Sequence, residues 1–165
     1  MQLPPLDTLP TNAANGGDNQ PKVLQHLHSL MNHMIKKHSR VVASHIILRF
    51  PQDYNCSYPP KYLSKFFNSL YRHLGRKGFD PHWLVVQEKN KSEHVHFHII
   101  LLMNANKAWG FYTELSQANL FWQSAIKYQG ESQGLIQLCV AKDPIHKTRG
   151  YDILIERKGT AAQER

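Results

Sequence analysis

Cysteine is scarce in this chain: only Cys56 and Cys139 occur in 165 residues. Two are too few for a disulfide scaffold or a cysteine-built zinc site, so a reduced, cytoplasmic setting is the default expectation. Long apolar runs are lacking as well. No stretch approaches the roughly 18–20 residues that span a bilayer. The opening Met1-Gln2-Leu3-Pro4-Pro5-Leu6-Asp7 lacks the basic-then-apolar layout of a secretory signal. Membrane and secreted classes are therefore not expected, and no membrane partner is. Internal repeats and long blocks of like charge are also missing. Acidic residues are few: 12 Asp and Glu stand against 20 Lys and Arg, a formal charge of +8. A small basic domain is drawn to polyanions, of which nucleic acid is the commonest.

What is present is a globular composition. Apolar residues make up 41% and charged residues 19%, which excludes a disordered chain. The length suits one domain with modest tails. Residues 1–20 carry Pro4, Pro5, Pro10, Gly16 and Gly17 among Asn and Asp with no sustained period, and read as a disordered or loosely docked arm. Residues 157–165 read as a polar tail, leaving 21–156 for the domain.

Periodicity orders that domain. Val23, Leu24, Leu27, Leu30, Met31, Met34 and Ile35 fall at steps of three and four, which predicts a helix from Pro21. Val41 to Phe50 is β-branched and apolar and stops at Pro51, as a central strand does. A second helix starts near Pro60 with Leu63, Phe66, Phe67, Leu70 and Leu74 inward, closed by Gly75 and Gly78. Its other side carries Lys61, Lys65, Asn68, Arg72 and Arg76, a basic ridge that is either a solvated face or a track for DNA phosphates. Strands at Trp83–Glu88 and His94–Met103 form a hairpin. A helix over residues 112–128 follows, with Leu115, Ala118, Trp122 and Ile126 inward, then strands at 135–140 and 151–155. Trp109 and Phe111, near that helix start, read first as packing residues and second as stacking platforms for bases. The expected class is α+β, an antiparallel sheet of four to five strands with helices packed on one face.

The chemistry concentrates in His94-Val95-His96-Phe97-His98. Side chains alternate along a strand, so Val95, Phe97, Ile99, Leu101 and Met103 face the core and the three imidazoles face away. His96 and His98 then sit about 7 Å apart along the strand, close enough to share one cation, and imidazole is the commonest metal ligand. If Glu88 opposes His94, with residues 89–93 as the loop, it joins the histidine face within reach of the same ion; otherwise it is a solvated strand end. His94 reads first as exposed, and otherwise as a third ligand or a phosphate contact.

The ordered set Gln87-Glu88-Lys89, then His94 to Asn104, resembles the His-hydrophobic-His core of the HUH endonucleases. It is similar, more narrowly, to the replication-initiator family of filamentous phages (inoviruses), which also occurs in prophages. Residues 39–51, 62–70 and 121–126 extend the likeness from about Leu30 to Val140. The resemblance implies an HUH-type sandwich that nicks and joins single-stranded DNA in rolling-circle replication. It implies that His96, His98 and Glu88 hold a divalent ion, Mg²⁺ or Mn²⁺. A tyrosine would attack the scissile phosphate to leave a 5′-phosphotyrosyl link and a free 3′-OH. Its implied partners are single-stranded DNA, a replication origin and host replication proteins, and Lys61, Lys65, Arg72 and Arg76 become the expected DNA contacts. The family places its tyrosine after the last core strand with a lysine three residues on. This chain has no Tyr-x-x-Lys after His98, and Tyr151 is the tyrosine beyond the fourth strand. Tyr128 reads as packing, and Tyr62, although followed by Lys65, as structural. Three expectations follow: an intact or truncated nicking domain with Tyr151 as nucleophile, a DNA-binding relic without chemistry, or a metal-dependent phosphoesterase that uses water.

Overall fold

The run His96-Phe97-His98-Ile99 alternates polar and apolar residues, whereas Ile100-Leu101-Leu102-Met103 is apolar throughout. The fold explains both halves. The computed structural model describes residues 11–12, 20–54, 59–88, 95–142 and 149–157. In chain order these form β1 (Thr11–Asn12), α1 (Gln20–Lys37), β2 (Arg40–Arg49), α2 (Pro59–Arg76), β3 (His82–Glu88) and β4 (His96–Asn104). A 3-10 turn (Tyr112–Glu114), α3 (Leu115–Ile126), β5 (Ile136–Leu138), β6 (Ala141–Lys142), β7 (Arg149–Gly150) and β8 (Asp152–Glu156) complete them. His94, Cys56 and residues 158–165 lie outside the described residues, as does most of the expected N-terminal arm.

The sheet runs β1-β3-β4-β2-β5, with β8 beside β5 on the same edge of β2. β8 pairs with the Arg40–Ser44 half of β2 and β5 with the Ile46–Leu48 half. β2 is thus the central strand its apolar sequence predicts. All the pairings are antiparallel except β1, which adds in parallel to Gln87 and Glu88. β6 and β7 form a separate two-stranded pair. The α+β architecture is the expected one.

The helices, however, divide between the two faces of the sheet. On one, Leu63, Phe66, Phe67, Leu70 and Leu74 of α2 and Trp122 and Ile126 of α3 enclose Phe97, Ile99, Leu101 and Met103 of β4. Phe67 stacks on Trp83 with ring centroids 4.7 Å apart, and Phe66 meets Trp122 edge-on at 5.6 Å. Each such burial contributes about 1.5–3 kcal/mol. The opposite face is covered by α1, where Met34 is buried against Val41 and Leu102 with Leu30, Met31 and Ile35 around them. The apolar stripe of α1 fixes that one side of it is buried, not against which layer. Its first turns pack less, and Leu24 is 64% exposed. β4 is therefore apolar on both sides where α1 covers it and alternates where α1 does not.

The ends are closed locally. Gly78, at φ +75°, follows α2 in a left-handed cap. The N–H of Phe79 bonds the carbonyl of Leu74 at 3.2 Å and that of Gly78 the carbonyl of Gly75 at 2.9 Å, the paired bonds that satisfy the last carbonyls of a helix. Among the described residues no helix is long and apolar enough to cross a membrane.

Candidate metal centre

Residues opposed across antiparallel strands share a face. The ladders align Glu88 of β3 with His96 of β4, and His96 with Arg49 of β2. The next row is Val86, His98 and Ile47, and the one after it Leu84, Ile100 and His45. All three rows lie on the face that α1 covers, whose cover begins at the Ile100 row and leaves the Glu88–His96 and His98 rows open. The hairpin register differs from the sequence expectation: Glu88 opposes His96 rather than His94, and residues 89–95 separate the strands. A shift of two leaves every side chain on its original face, so Glu88 still joins the histidines.

Glu88 Oε2 lies 2.5 Å from His98 Nε2 and 3.3 Å from His96 Nε2. One donor atom from each of the three residues falls within 4.8 Å of the others. The side chains of Glu88, His96 and His98 are 26%, 21% and 30% exposed, so a solvated ion can reach them. Two imidazole nitrogens and one carboxylate oxygen suit a first-row divalent cation, while Mg²⁺ favours a larger share of oxygen donors. The donor set therefore fits a divalent metal.

Two neighbours on this face escaped the sequence reading. His45 Nε2 lies 3.0 Å from His98 Nδ1, with the rings 5.3 Å apart and 33° from coplanar. Burial, and then the charge of His98, lower the pKa of His45 and favour its neutral form. Arg49 of β2 stands directly across the β2–β4 ladder from His96, exposed, and makes no ion pair among the described residues. Strand alternation alone puts both residues on the odd face of β2. Their partners in β4 follow only from a non-local register.

The remaining expected residues lie elsewhere. Lys61, Lys65, Arg72 and Arg76 are all exposed along α2, a helix with no acidic residue, and pair with no carboxylate among the described residues. They form the basic ridge, but α2 packs on the face of the sheet opposite the triad. Tyr151 is 42% exposed and stacks on Tyr112, ring centroids 5.7 Å apart and 10° from coplanar. It precedes β8, beside the His45 level of β2, and strand spacings put it on the order of 15 Å from the Glu88–His96 row. Tyr62 and Tyr128 pack against the main core, as expected. Phe111 is fully buried, whereas Trp109 is 97% exposed. Between them Gly110, at φ +149°, has the Asp152 carboxylate where a side chain would be, so that position admits no larger residue.

Comparison with known proteins places these features in a family. The model of the YagK/YfjJ C-terminal domain matches residues 6–132, a span that holds the triad, His45, Arg49 and the basic ridge and stops before β5 and Tyr151. No curated protein and no solved structure matches the chain. Since the match covers most of its length, the chain belongs to the YagK/YfjJ C-terminal domain family, a prophage-associated family.

Proposed function

We propose that this chain is a metal-dependent domain that nicks and rejoins single-stranded DNA, the activity implied by its likeness to the HUH replication initiators of filamentous phages and prophages. The observation that supports it is the convergence of Glu88 Oε2 with the Nε2 atoms of His96 and His98 on a half-open sheet face. A bound divalent cation, Mg²⁺ or Mn²⁺, supplies Lewis-acid stabilisation of the charge that builds on phosphoryl oxygens. Glu88, His96 and His98 hold that position. Arg49, across from His96, offers a guanidinium fork to a phosphate oxygen, a geometry suited to phosphate.

In this reading the phenolic oxygen of Tyr151 attacks phosphorus and a new O–P bond forms. The bond from phosphorus to the 3′ oxygen breaks, and the phenolic proton, passed through solvent, ends on that oxygen, which leaves as a free 3′-OH. The strand keeps its 5′-phosphate on the tyrosine, which stores the bond for rejoining. The step requires Tyr151 to leave its stack on Tyr112 and approach the triad. Lys61, Lys65, Arg72 and Arg76 bind phosphates away from the cleavage point, on DNA that passes round the sheet edge. A replication origin and host replication proteins are the partners, in the cytoplasm.

The Tyr112–Tyr151 stack favours a second reading, in which water is the nucleophile and the domain is a metal-dependent phosphoesterase. Labelled single-stranded DNA incubated with the protein and Mn²⁺ separates the two on a denaturing gel. A protein–DNA adduct that His96→Ala abolishes supports the tyrosine reaction, and peptide mapping should place it on Tyr151. Cleavage without adduct supports water. Binding with neither outcome contradicts both and leaves a DNA-binding relic.

A further inference from the structure

We propose that His45 is the positioning residue for His98, a role that rests on the metal-centre reading above. His98 has two ring nitrogens with different neighbours: Nε2 faces Glu88 at 2.5 Å and Nδ1 faces His45 Nε2 at 3.0 Å. A neutral imidazole carries one proton, so one nitrogen donates and the other accepts. Without a cation, His98 donates from Nε2 to the Glu88 carboxylate, and its Nδ1 accepts the Nε2–H of His45. When Nε2 serves as a metal ligand, the proton of His98 sits on Nδ1 and donates to His45 Nε2. His45 then carries its own proton on Nδ1.

Both arrangements use the same two atoms at the same separation. The pair exchanges tautomers without any ring moving and without a net change in protons. His45 thus fixes the plane of the His98 ring in both states and leaves Nε2 aimed at the point shared with His96 and Glu88. Ligand imidazoles are commonly held this way through their second nitrogen, and loss of the holding group typically weakens metal binding about 10–100-fold. The support comes from the sheet itself. His45 lies one row beyond His98 on the adjacent strand, so the contact is diagonal across a continuous ladder. Val41 and Ala43 of the same strand face lie under α1.

Zn²⁺ alone, titrated calorimetrically into the full chain, tests this with His45→Ala, His45→Gln and His98→Ala. His45→Ala should bind on the order of tenfold or more weakly while keeping its thermal transition. His45→Gln should recover part of the loss, because its amide oxygen can accept the His98 Nδ1–H. A group that only filled space would show no such rescue. Long-range ¹⁵N spectra of the zinc-loaded wild type should place the proton of His98 on Nδ1. Unchanged affinity in a folded His45→Ala, or a proton on Nε2 of zinc-loaded His98, overturns the role of His45 and leaves the metal centre standing. Failure of the wild type to bind Zn²⁺, or binding undiminished in His98→Ala, overturns the metal centre and the role of His45 with it.

Discussion

Glu88 stands directly across the β3–β4 ladder from His96, yet its closest imidazole contact is diagonal, to His98 Nε2 at 2.5 Å. One carboxylate oxygen therefore serves two histidines that point the same way from one strand. This arrangement gathers donors from both arms of a hairpin onto a single point. A solvated polar strand face has no need of that.

Removing the charge of Glu88 without changing its size should weaken the centre selectively. Glu88→Gln is expected to lower Mn²⁺ affinity by more than the roughly 10–100-fold cost of losing an outer partner, with little change in thermal stability. In the wild type the same affinity should fall as pH is lowered, because the ligand nitrogens and the carboxylate must be deprotonated to bind. Manganese resonance of the free ion measures both effects.

The basic ridge should act on DNA independently of the metal. Lys61, Lys65, Arg72 and Arg76 are exposed and lie on the opposite side of the sheet from the triad. Neutralising all four should weaken single-stranded DNA binding uniformly across sequences. It should flatten the dependence of log affinity on log salt by about 0.7 for each phosphate that is no longer neutralised. Mn²⁺ affinity should stay unchanged. Fluorescence anisotropy at several salt concentrations reads the slope.

A second acidic residue makes folding pH-sensitive. Asp80 ties the end of α1 to the start of β3: Oδ2 is 2.8 Å from Lys37 Nζ and 2.7 Å from His38 Nε2, and Oδ1 is 3.4 Å from His82 Nε2. Burial raises its pKa, but the bonds from Lys37 and His38 and the charge of His82 outweigh that and hold it at about 2. A carboxyl with a depressed folded pKa stabilises the fold above its unfolded value of about 3.9. That contribution fades as pH falls from there through about 2. Asp80→Asn tolerates the φ of +47° at this position and removes the charge. It should cost about 1 kcal/mol at neutral pH and remove part of the acid sensitivity in melts between pH 5 and 2.

Backbone strain at the end of α3 offers a gain. Lys127 takes the left-handed conformation, φ +56° and ψ +36°, where its N–H and that of Tyr128 bond the carbonyls of Ser124 and Gln123. Glycine adopts that conformation without the side-chain clash. Lys127→Gly should raise stability by about 0.5 kcal/mol, the net of relieved strain and a more flexible unfolded chain. Urea unfolding should show a higher midpoint at an unchanged slope.

The legible parts of the site are those set by local sequence. Alternation in His96-Phe97-His98-Ile99 puts the imidazoles on one face, and the same parity places Glu88 with them even though the register differs by two residues. What decides the register is the loop between β3 and β4, whose length no local pattern fixes. His45 and Arg49 were not legible as site residues because they reach it through the β2–β4 pairing, which joins distant segments. The side of the sheet that α1 covers was hidden for a related reason: an amphipathic stripe shows burial without naming the layer. β1 is two residues in a polar stretch, too short to carry a period. Tyr151 stood out by its place in the chain, and only the fold reveals that its ring is stacked on Tyr112.

The most direct test is Mn²⁺ binding to the wild type and to the His96→Ala/His98→Ala double variant, read by calorimetry with circular dichroism confirming that both are folded. One ion bound per wild-type chain, and loss of that binding in the double variant, is the expected result. A wild type that binds no Mn²⁺, or a folded double variant that binds it equally well, would contradict a metal centre at Glu88, His96 and His98.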